Sequence, residues 1–342
     1  MYTFAHFLRR YRAVLAVVPV AVLLFFACNK ADEEQEVKKR WKLTMVKYDE
    51  MQQTEHAEEG FLSGLREAGL REGVDFEFVT RNAQGEAMTV NSMLDAAAVD
   101  GTDMLVTLQT PTLEPSFKRR YKAPVVFMVV ANPFVISSVG ASDSAHHPKV
   151  TGVYTNTPIE TMLRYILQCR PSIRRIGTLV AKEEMNAIFY REQLLDAARR
   201  LNLEVEVVNV QFRTSVPLDA ARLCQSGIDA IVQIEDNLTS ATFPSIARAA
   251  KDYGIPLFSF VDRQADQGSI MVYAPDYRRA GRQTAVQAAR IIRGEKPEDI
   301  PFGRIDKFDF IINLDAAREA GFPIPPELVA KADRVIGKVE GA

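Results

Sequence analysis

Short apolar runs alternate with amphipathic segments from residue 42 onward. In the first part of the chain, each run is followed by a stretch whose apolar residues lie three or four positions apart, as in the segment that ends at Gly69. Runs of this length predict strands, and the wider spacing predicts helices. The predicted strands here are 43–47, 76–80, 104–108 and 124–130. Because strands and helices alternate, the pattern predicts a parallel sheet with helices on both faces.

The alternation begins again after residue 150. Residues 157–160, with Thr157 and Glu160 at the ends and proline second, have the composition of a capping box, which predicts that a helix begins there. Further strands are predicted at 176–180, 204–210, 230–234 and 256–261, separated by helices at 186–200, 218–224 and 242–253. The chain therefore contains two successive α/β units of similar size and order.

The tail after residue 268 does not form a third unit. Its predicted strands, 269–273 and 308–312, flank a long amphipathic helix at 277–292. Sharing these elements between the two units requires several crossings of the chain, so we predict two lobes joined by a hinge, with a ligand cleft between them. Lobe 1 is predicted to span 41–152 with part of about 274–305, and lobe 2 to span 153–273 with part of about 306–342.

The first 28 residues have the pattern of an export signal. Arg9, Arg10 and Arg12 precede an apolar run, 13–26, that is short for a membrane span and leads to Ala27. A cysteine directly after such a run predicts a lipoprotein, with residues 1–27 removed and Cys28 acylated. The alternative is an uncleaved transmembrane anchor, against which Pro19 and the polar stretch after Cys28 argue. In both cases the domain is expected outside the cytoplasm on a membrane tether, in the periplasm or at the cell surface.

Composition and charge indicate a tether, a folded core and the classes of partner to expect. Residues 28–40 are charge-dense and predict a flexible tether. The 342 residues are 47% hydrophobic, enough for a substantial core, and a net charge of -2 gives no reason to expect nucleic acid as a partner. Besides Cys28, the chain has Cys169 and Cys224, which lie on apolar helical patterns; both a disulfide and buried free thiols remain open.

Signatures of enzymes are missing from the sequence. It contains no dinucleotide-binding glycine fingerprint, no phosphate-binding loop and no Gly-x-Ser-x-Gly elbow. Cysteines and histidines are too sparse and scattered for a zinc site. We therefore predict a protein that is not an enzyme and has neither a cofactor nor a metal.

Polar residues follow the predicted strands, where a cleft would open. Asp, Asn and Thr at these positions also suit helix capping, so each residue has two interpretations. As a set facing one cleft, they predict ligand contact. Glu235, after the strand at 230–234, and Tyr277, at the start of the helix at 277–292, belong to this set. The candidate ligand-binding residues are Tyr48, Asp49, Asn82, Thr110, Pro111, Asn132, Asp236, Asn237, Asp262 and Asp276.

Several segments resemble one protein family, and they occur in uninterrupted order between residues 42 and 325. The segments are 60–69, 81–85, 150–153, 235–237, 277–284 and 294–301. They are similar to the ABC-transporter substrate-binding proteins of the aromatic-amino-acid-binding type. The resemblance implies the type I periplasmic-binding-protein fold, in which two doubly wound parallel-sheet lobes close on a small ligand.

The resemblance also implies a function. We expect a monomeric lipoprotein that captures a small polar solute, an amino acid and possibly an aromatic one, and delivers it to an ABC permease by lobe closure. Asp236, with Asn237 beside it, is the candidate for the ammonium. Thr110 and the amides after Pro111 suit the carboxylate. A ligand sensor that docks on a signalling receptor is the alternative, and an extracytoplasmic enzyme is a third.

Overall fold

The computed structural model describes residues 39–118 and 122–338. The predicted signal peptide, Cys28 and most of the tether lie outside these residues, so the expectations about them stay predictions. The folded unit starts at Trp41. Within the described part of the chain, no helix combines the length and apolar character needed to cross a membrane.

The first sheet has six parallel strands. Its strands are β1 (Trp41–Lys47), β2 (Phe76–Asn82), β3 (Met104–Leu108), β4 (Val125–Val130), β5 (Val150–Tyr154) and β11 (Gly303–Arg304). They are ordered β11-β5-β4-β3-β1-β2. Every residue of β3 and β4 is buried, as expected of central strands covered on both faces.

The second sheet has seven strands. They are β6 (Arg175–Ala181), β7 (Glu204–Val210), β8 (Ala230–Val232), β9 (Leu257–Ser259), β10 (Met271–Pro275), β12 (Phe308–Asn313) and β13 (Arg334–Ile336). Their order is β13-β12-β10-β9-β8-β6-β7. The pair β10 and β12 is antiparallel, with Met271 opposite Ile312, and the other pairs are parallel.

Helices cover both faces of each sheet. The helices are α1 (Gln52–Glu67), α2 (Ala87–Val99), α3 (Thr110–Lys118), α4 (Ile159–Cys169), α5 (Met185–Arg200), α6 (Val216–Gln225), α7 (Asn237–Ala241), α8 (Phe243–Tyr253), α9 (Tyr277–Ile292), α10 (Leu314–Glu319) and α11 (Pro326–Val329). On the first sheet, α1 and α9 share one core layer, and α2 and α3 share the other. On the second sheet, α4, α5, α10 and α11 cover one face, and α6 and α8 cover the other.

Three segments carry the chain between the two sheets. The chain leaves the first sheet after β5, returns from β10 through Asp276 into α9, and leaves again between β11 and β12. The prediction of two doubly wound α/β lobes with several crossings at one waist is therefore confirmed. Cys169 and Cys224 are buried free thiols, which leaves no disulfide between them.

Local details differ from the sequence pattern. The short strands β5, β11 and β13 are absent from the prediction. The capping box at 157–160 is wrong: Pro158 is the N-cap and makes no side-chain cap. The Thr157 hydroxyl instead lies 3.2 Å from the Tyr190 hydroxyl and forms a hydrogen bond with it, so it does not cap the helix.

Glycines allow α1 and α9 to touch backbone to backbone. A Cβ atom on Gly281 would lie 2.6 Å from the Phe61 amide nitrogen and closer still to the Ala57 carbonyl oxygen. A Cβ on Gly60 would overlap the Arg278 carbonyl in the same way. Backbone atoms cannot turn aside as a side chain can, so the two helices would have to separate.

We expect Gly281→Ala to lower the free energy of unfolding by about 1–3 kcal/mol, because the added methyl overpacks this contact. Urea denaturation of the variant and of wild type measures the difference. Val286→Ala is the matched control, since Val286 lies on the same helix and is 55% exposed. Equal stability of Gly281→Ala and wild type would contradict the close packing of α1 on α9.

Candidate functional site

A closed cavity lies between the two lobes, at the carboxyl ends of the central strands. It has room for little more than one water molecule, so a larger ligand requires the lobes or side chains to move. Both lobes contribute polar side chains to it. The lining residues are Gln53, Gln109, Thr110, Val129, Ala131, Thr155, Asn186, Tyr190, Glu235, Asp236, Asn237 and Tyr277.

Two of the lining residues have strained backbones. Gln109, after β3, has φ 73°, and Val129, near the end of β4, has φ 57°. The pairing of β4 with β5 shifts register between Phe127 and Val130, so Val129 sits in an irregular stretch. A β-branched residue at positive φ is unfavourable, and such strain collects where a fold holds side chains for function.

Glu235 and Tyr277 form a hydrogen-bonded pair in the cavity lining. The Tyr277 hydroxyl donates to the Glu235 carboxylate, with oxygen–oxygen distances of 2.9 and 3.1 Å. Burial raises the pKa of Glu235 from 4.5 to about 7. Burial, reinforced by the Glu235 charge, also keeps the pKa of Tyr277 well above 10. At neutral pH the tyrosine is therefore a donor, and the carboxylate still has room for further donors.

Asp236 and Glu184 both cap α7. Asp236 accepts hydrogen bonds from the Thr239 amide at 2.6 Å, the Thr239 hydroxyl at 2.7 Å and the Ala181 amide at 3.0 Å. Glu184 accepts from the amides of Asn237 and Leu238 at 2.9 and 3.0 Å. Burial raises the pKa of each carboxyl, and the charge of Glu184 adds to the effect on Asp236.

The charges around the cavity have one sign. Glu235 and Asp236 are acidic, and none of the described residues that line the cavity is Lys, Arg or His. The Asn186 Oδ1 atom is buried and has no hydrogen-bond partner among the described residues. The cavity therefore offers acceptors to a cation, and a buried unpartnered acceptor is costly unless a ligand donates to it.

Polar contacts join the lobes around the cavity. The Gln109 side-chain nitrogen donates to the Asn237 side-chain oxygen at 2.9 Å. The Arg263 amide donates to the Gln52 side-chain oxygen at 2.9 Å. Asp49 forms an ion pair with Arg213. These contacts hold the two lobes in a closed arrangement.

The structure brings only some of the predicted ligand residues to the cavity. Thr110, Asp236 and Asn237 line it. Asp262 and Asp276 line a neighbouring groove between the lobes, which also contains His56. Asp276 caps α9 by accepting from the Arg279 amide at 2.9 Å, and Asp262 accepts from Arg334 at 2.8 Å.

The other predicted residues lie outside the cavity lining. Tyr48 packs against the α2–α3 side of the first core, and Pro111 is half-buried in the first turn of α3. Asp49 makes the ion pair with Arg213 and donates its amide to Gln109 at 2.9 Å. Asn82 donates to Glu50 at 3.2 Å, and Asn132 caps a short 3-10 turn by accepting from the Phe134 amide at 2.9 Å.

Several lining residues were missed from the sequence. Gln53 and Asn186 lie in the first turns of α1 and α5, and Tyr190 lies in the second turn of α5, where the pattern shows only helix. Gln109 directly follows β3 and precedes Thr110, so its position at a strand end is a signal that could have identified it. Glu235 and Tyr277 belong to the predicted set of polar residues at strand ends, although the list of candidate ligand-binding residues leaves them out.

Comparison with known proteins gives consistent matches along most of the chain. Residues 43–336 match the family model described as ABC transporter substrate binding protein. A Clostridioides difficile (strain R20291) protein named tyrosine-binding protein is 22% identical over 292 residues, which are 85% of this chain and 84% of the relative. The family and this relative are described as binding proteins, in agreement with the prediction that the chain is not an enzyme.

Solved structures agree on the fold. A Streptococcus pneumoniae ABC domain in complex with L-Trp has a TM-score of 0.82 at 21% identity, covering 87% of this chain and 100% of that one. A ligand-free, open substrate-binding protein with adhesive properties from Clostridium difficile has a TM-score of 0.68 at 21% identity, with the same two coverages. The predicted type I periplasmic-binding-protein fold is confirmed.

The raised pKa of Glu235 predicts a pH dependence of stability. Since the folded state binds this proton more tightly than the unfolded state, stability falls as the pH rises from 4.5 through about 7. Glu235→Gln removes that loss. The difference in free energy of unfolding between the variant and wild type should therefore shift in favour of the variant by on the order of 3 kcal/mol as the pH rises from 4.5 to 8.

Urea unfolding at both pH values measures this difference. Glu204→Gln is the control, because Glu204 is 82% exposed at the edge strand β7. A stability difference between Glu235→Gln and wild type that stays constant across the pH range would contradict the buried, proton-binding state of Glu235.

Proposed function

Because the chain belongs to the family of ABC transporter substrate-binding proteins, we propose that it captures an amino acid between its lobes and delivers it to an ABC permease. The observation that carries the proposal is the cavity lining, which holds Glu235 and Asp236 and, among its described residues, no cationic side chain. A buried ammonium needs such acceptors. Binding favours the closed arrangement of the lobes, and the permease takes the solute from that form.

Glu235 is better suited than Asp236 to receive the ammonium. Both oxygens of Asp236 already accept hydrogen bonds from α7 and β6. Glu235 accepts from Tyr277, is only partly buried and lines the cavity. The unpartnered Asn186 Oδ1 supplies a second, neutral acceptor. Asp236 then acts chiefly by adding negative potential.

Neutral donors suit the carboxylate of the same ligand. The hydroxyls of Thr110 and Tyr190 and the amide of Gln53 line the cavity. Burial keeps the pKa of Tyr190 above its usual range, so its hydroxyl is a donor at neutral pH. Hydrogen bonds from neutral groups can hold a carboxylate without placing a cation beside the ammonium site.

Aromatic amino acids are the ligands to test first. One relative is named a tyrosine-binding protein, and one structure of the same fold was solved with L-Trp. Because the closed cavity is small, the lobes must part to admit such a side chain. The three chain crossings provide the hinge for that motion.

We further propose that the protein is a monomeric lipoprotein outside the cytoplasm. The proposal rests on the signal-like residues 1–27 and on Cys28 directly after them. A tether at 28–40 would leave the folded unit, which starts at Trp41, free to meet its permease in the same membrane.

Calorimetric titration with L-tyrosine, L-tryptophan and L-phenylalanine tests the ligand class. We expect binding of at least one of them by wild type, and a loss of about 2–5 kcal/mol in Glu235→Gln, or roughly thirty-fold to several-thousand-fold in Kd. The cause is the ammonium, which loses its charged partner in a closed cavity.

A matched ligand separates this cause from general damage. An analogue of the bound amino acid without the amino group should bind wild type weakly, and Glu235→Gln should change its affinity little. Glu204→Gln is the protein control. Equal affinity of wild type and Glu235→Gln for the amino acid, or no binding of any of the three, would refute the proposed function.

Cys28→Ser tests the anchor. We expect the wild-type protein to incorporate labelled fatty acid in growing cells and the variant to incorporate none, because the acylated thiol is gone. Cys169→Ser is the control, since Cys169 is a buried free thiol of the folded unit. Labelling that persists in Cys28→Ser would show that the lipoprotein interpretation is wrong.

A further inference from the structure

Glu184 is not among the residues that line the cavity, yet it contacts two of them. Its carboxyl accepts from the side-chain nitrogen of Asn237 at 2.6 Å and of Asn186 at 3.2 Å. It also accepts from the backbone amides of Asn237 and Leu238. All four contacts are donors, so the geometry suits the ionised carboxylate.

These contacts determine how the two amide groups point. A carboxylate only accepts, so the NH₂ group of Asn237 faces Glu184 and its oxygen faces the other lobe. There it accepts from the Gln109 side-chain nitrogen at 2.9 Å. The Gln109 oxygen then accepts from the Asp49 backbone amide at 2.9 Å. A backbone amide only donates, so the Asp49 amide at one end of this chain of hydrogen bonds and the Glu184 carboxylate at the other impose the same donor-to-acceptor direction.

Asp49 is connected to the second lobe by two routes, a chain of hydrogen bonds and an ion pair. The chain of hydrogen bonds starts at the Asp49 amide in the first lobe and passes through Gln109 to Asn237 and Glu184 in the second. The Asp49 side chain also contacts the second lobe directly, through its ion pair with Arg213. Gln109 is 2% exposed and Asn237 is 7% exposed, so water does not replace these bonds in the closed arrangement.

We propose that Glu184 is a positioning residue that sets the direction of this chain and so holds the lobes closed over the cavity. It acts through Asn237 and Gln109. It also turns the Asn186 amide so that Oδ1 is the atom left without a protein partner. The role of Asn186 toward a ligand rests on the proposed function, whereas the bridge between the lobes does not.

Two isosteric variants break the chain at opposite ends. In Glu184→Gln, the new NH₂ group takes the place of one of the two oxygens. One oxygen accepts from the Leu238 amide, and the other from the Asn237 amide and the side-chain nitrogens of Asn237 and Asn186, so donors face each other in both orientations. In Gln109→Glu, a carboxylate oxygen faces the Asn237 oxygen, so two acceptors meet. The double variant reverses the direction: Asn237 turns over, donates to residue 109 and accepts from residue 184. It therefore restores the hydrogen bond between residues 109 and 237, while the Asn237 backbone amide still lacks the acceptor that Glu184 supplies in wild type.

Spin labels on the two lobes report closure. Met88→Cys on α2 and Leu218→Cys on α6 are suitable sites, since Met88 is 78% and Leu218 57% exposed. The full-length chain carries Cys28→Ser, and Cys169 and Cys224 are buried. In the ligand-free protein we expect each single variant to lengthen the label distance and the double variant to return it toward wild type. Glu183→Gln, next in sequence with a side chain 72% exposed, should keep the wild-type distance.

Titration with L-tyrosine gives an independent readout. Because both single variants break the same bridge, each should shift the Kd about tenfold in the same direction, and the double variant should bring the Kd back toward wild type. Label distances that do not change in the single variants, or that lengthen in the double variant by the sum of the single changes, would overturn the proposal. So would an equal change in Glu183→Gln. If wild type ignores L-tyrosine and related amino acids, the proposed function fails, but the label distances still decide the role of Glu184.

Discussion

Polar groups buried between the two lobes need hydrogen-bond partners, and for several of them the partner lies on the opposite lobe. Gln109 meets this need through Asn237, and Glu235 through Tyr277. An unpartnered buried polar group costs more than a typical hydrogen bond contributes, so the closed arrangement is favourable only when the pairs match. Asn186 Oδ1 is the exception among these lining groups, which makes it a natural contact for a ligand.

The lobes themselves are held together differently. Each has two apolar core layers around its sheet, and α9 closes one of them by touching α1 at Gly281 and Gly60. Such packing resists deformation. Between the lobes the bonds are few and polar, and each contributes about 1 kcal/mol. Rigid lobes that are joined by a few weak polar contacts are suited to hinge motion, in which a ligand shifts the equilibrium between open and closed forms.

Strain and charge are concentrated at the same place. Gln109 and Val129 have positive φ at the carboxyl ends of neighbouring strands, and Glu184, Glu235 and Asp236 carry raised pKa values nearby. Both features are unfavourable for the free protein, and the cores of the two lobes have to outweigh them. This combination is typical of a binding site that relies on preorganised groups.

The sequence by itself determined the architecture, because alternation of apolar runs and amphipathic segments is a local signal that each strand and helix carries within its own residues. It also placed Thr110, Asp236 and Asn237 at the cleft, since strand ends meet at one edge of a parallel sheet. Only the tertiary structure decided that Asn82 and Asn132 point elsewhere and that Asp49 joins the lobes through Arg213. Likewise, Tyr190 and Asn186 reach the cavity from inside a helix because the chain crossings set how the lobes face each other, and no local pattern records that geometry.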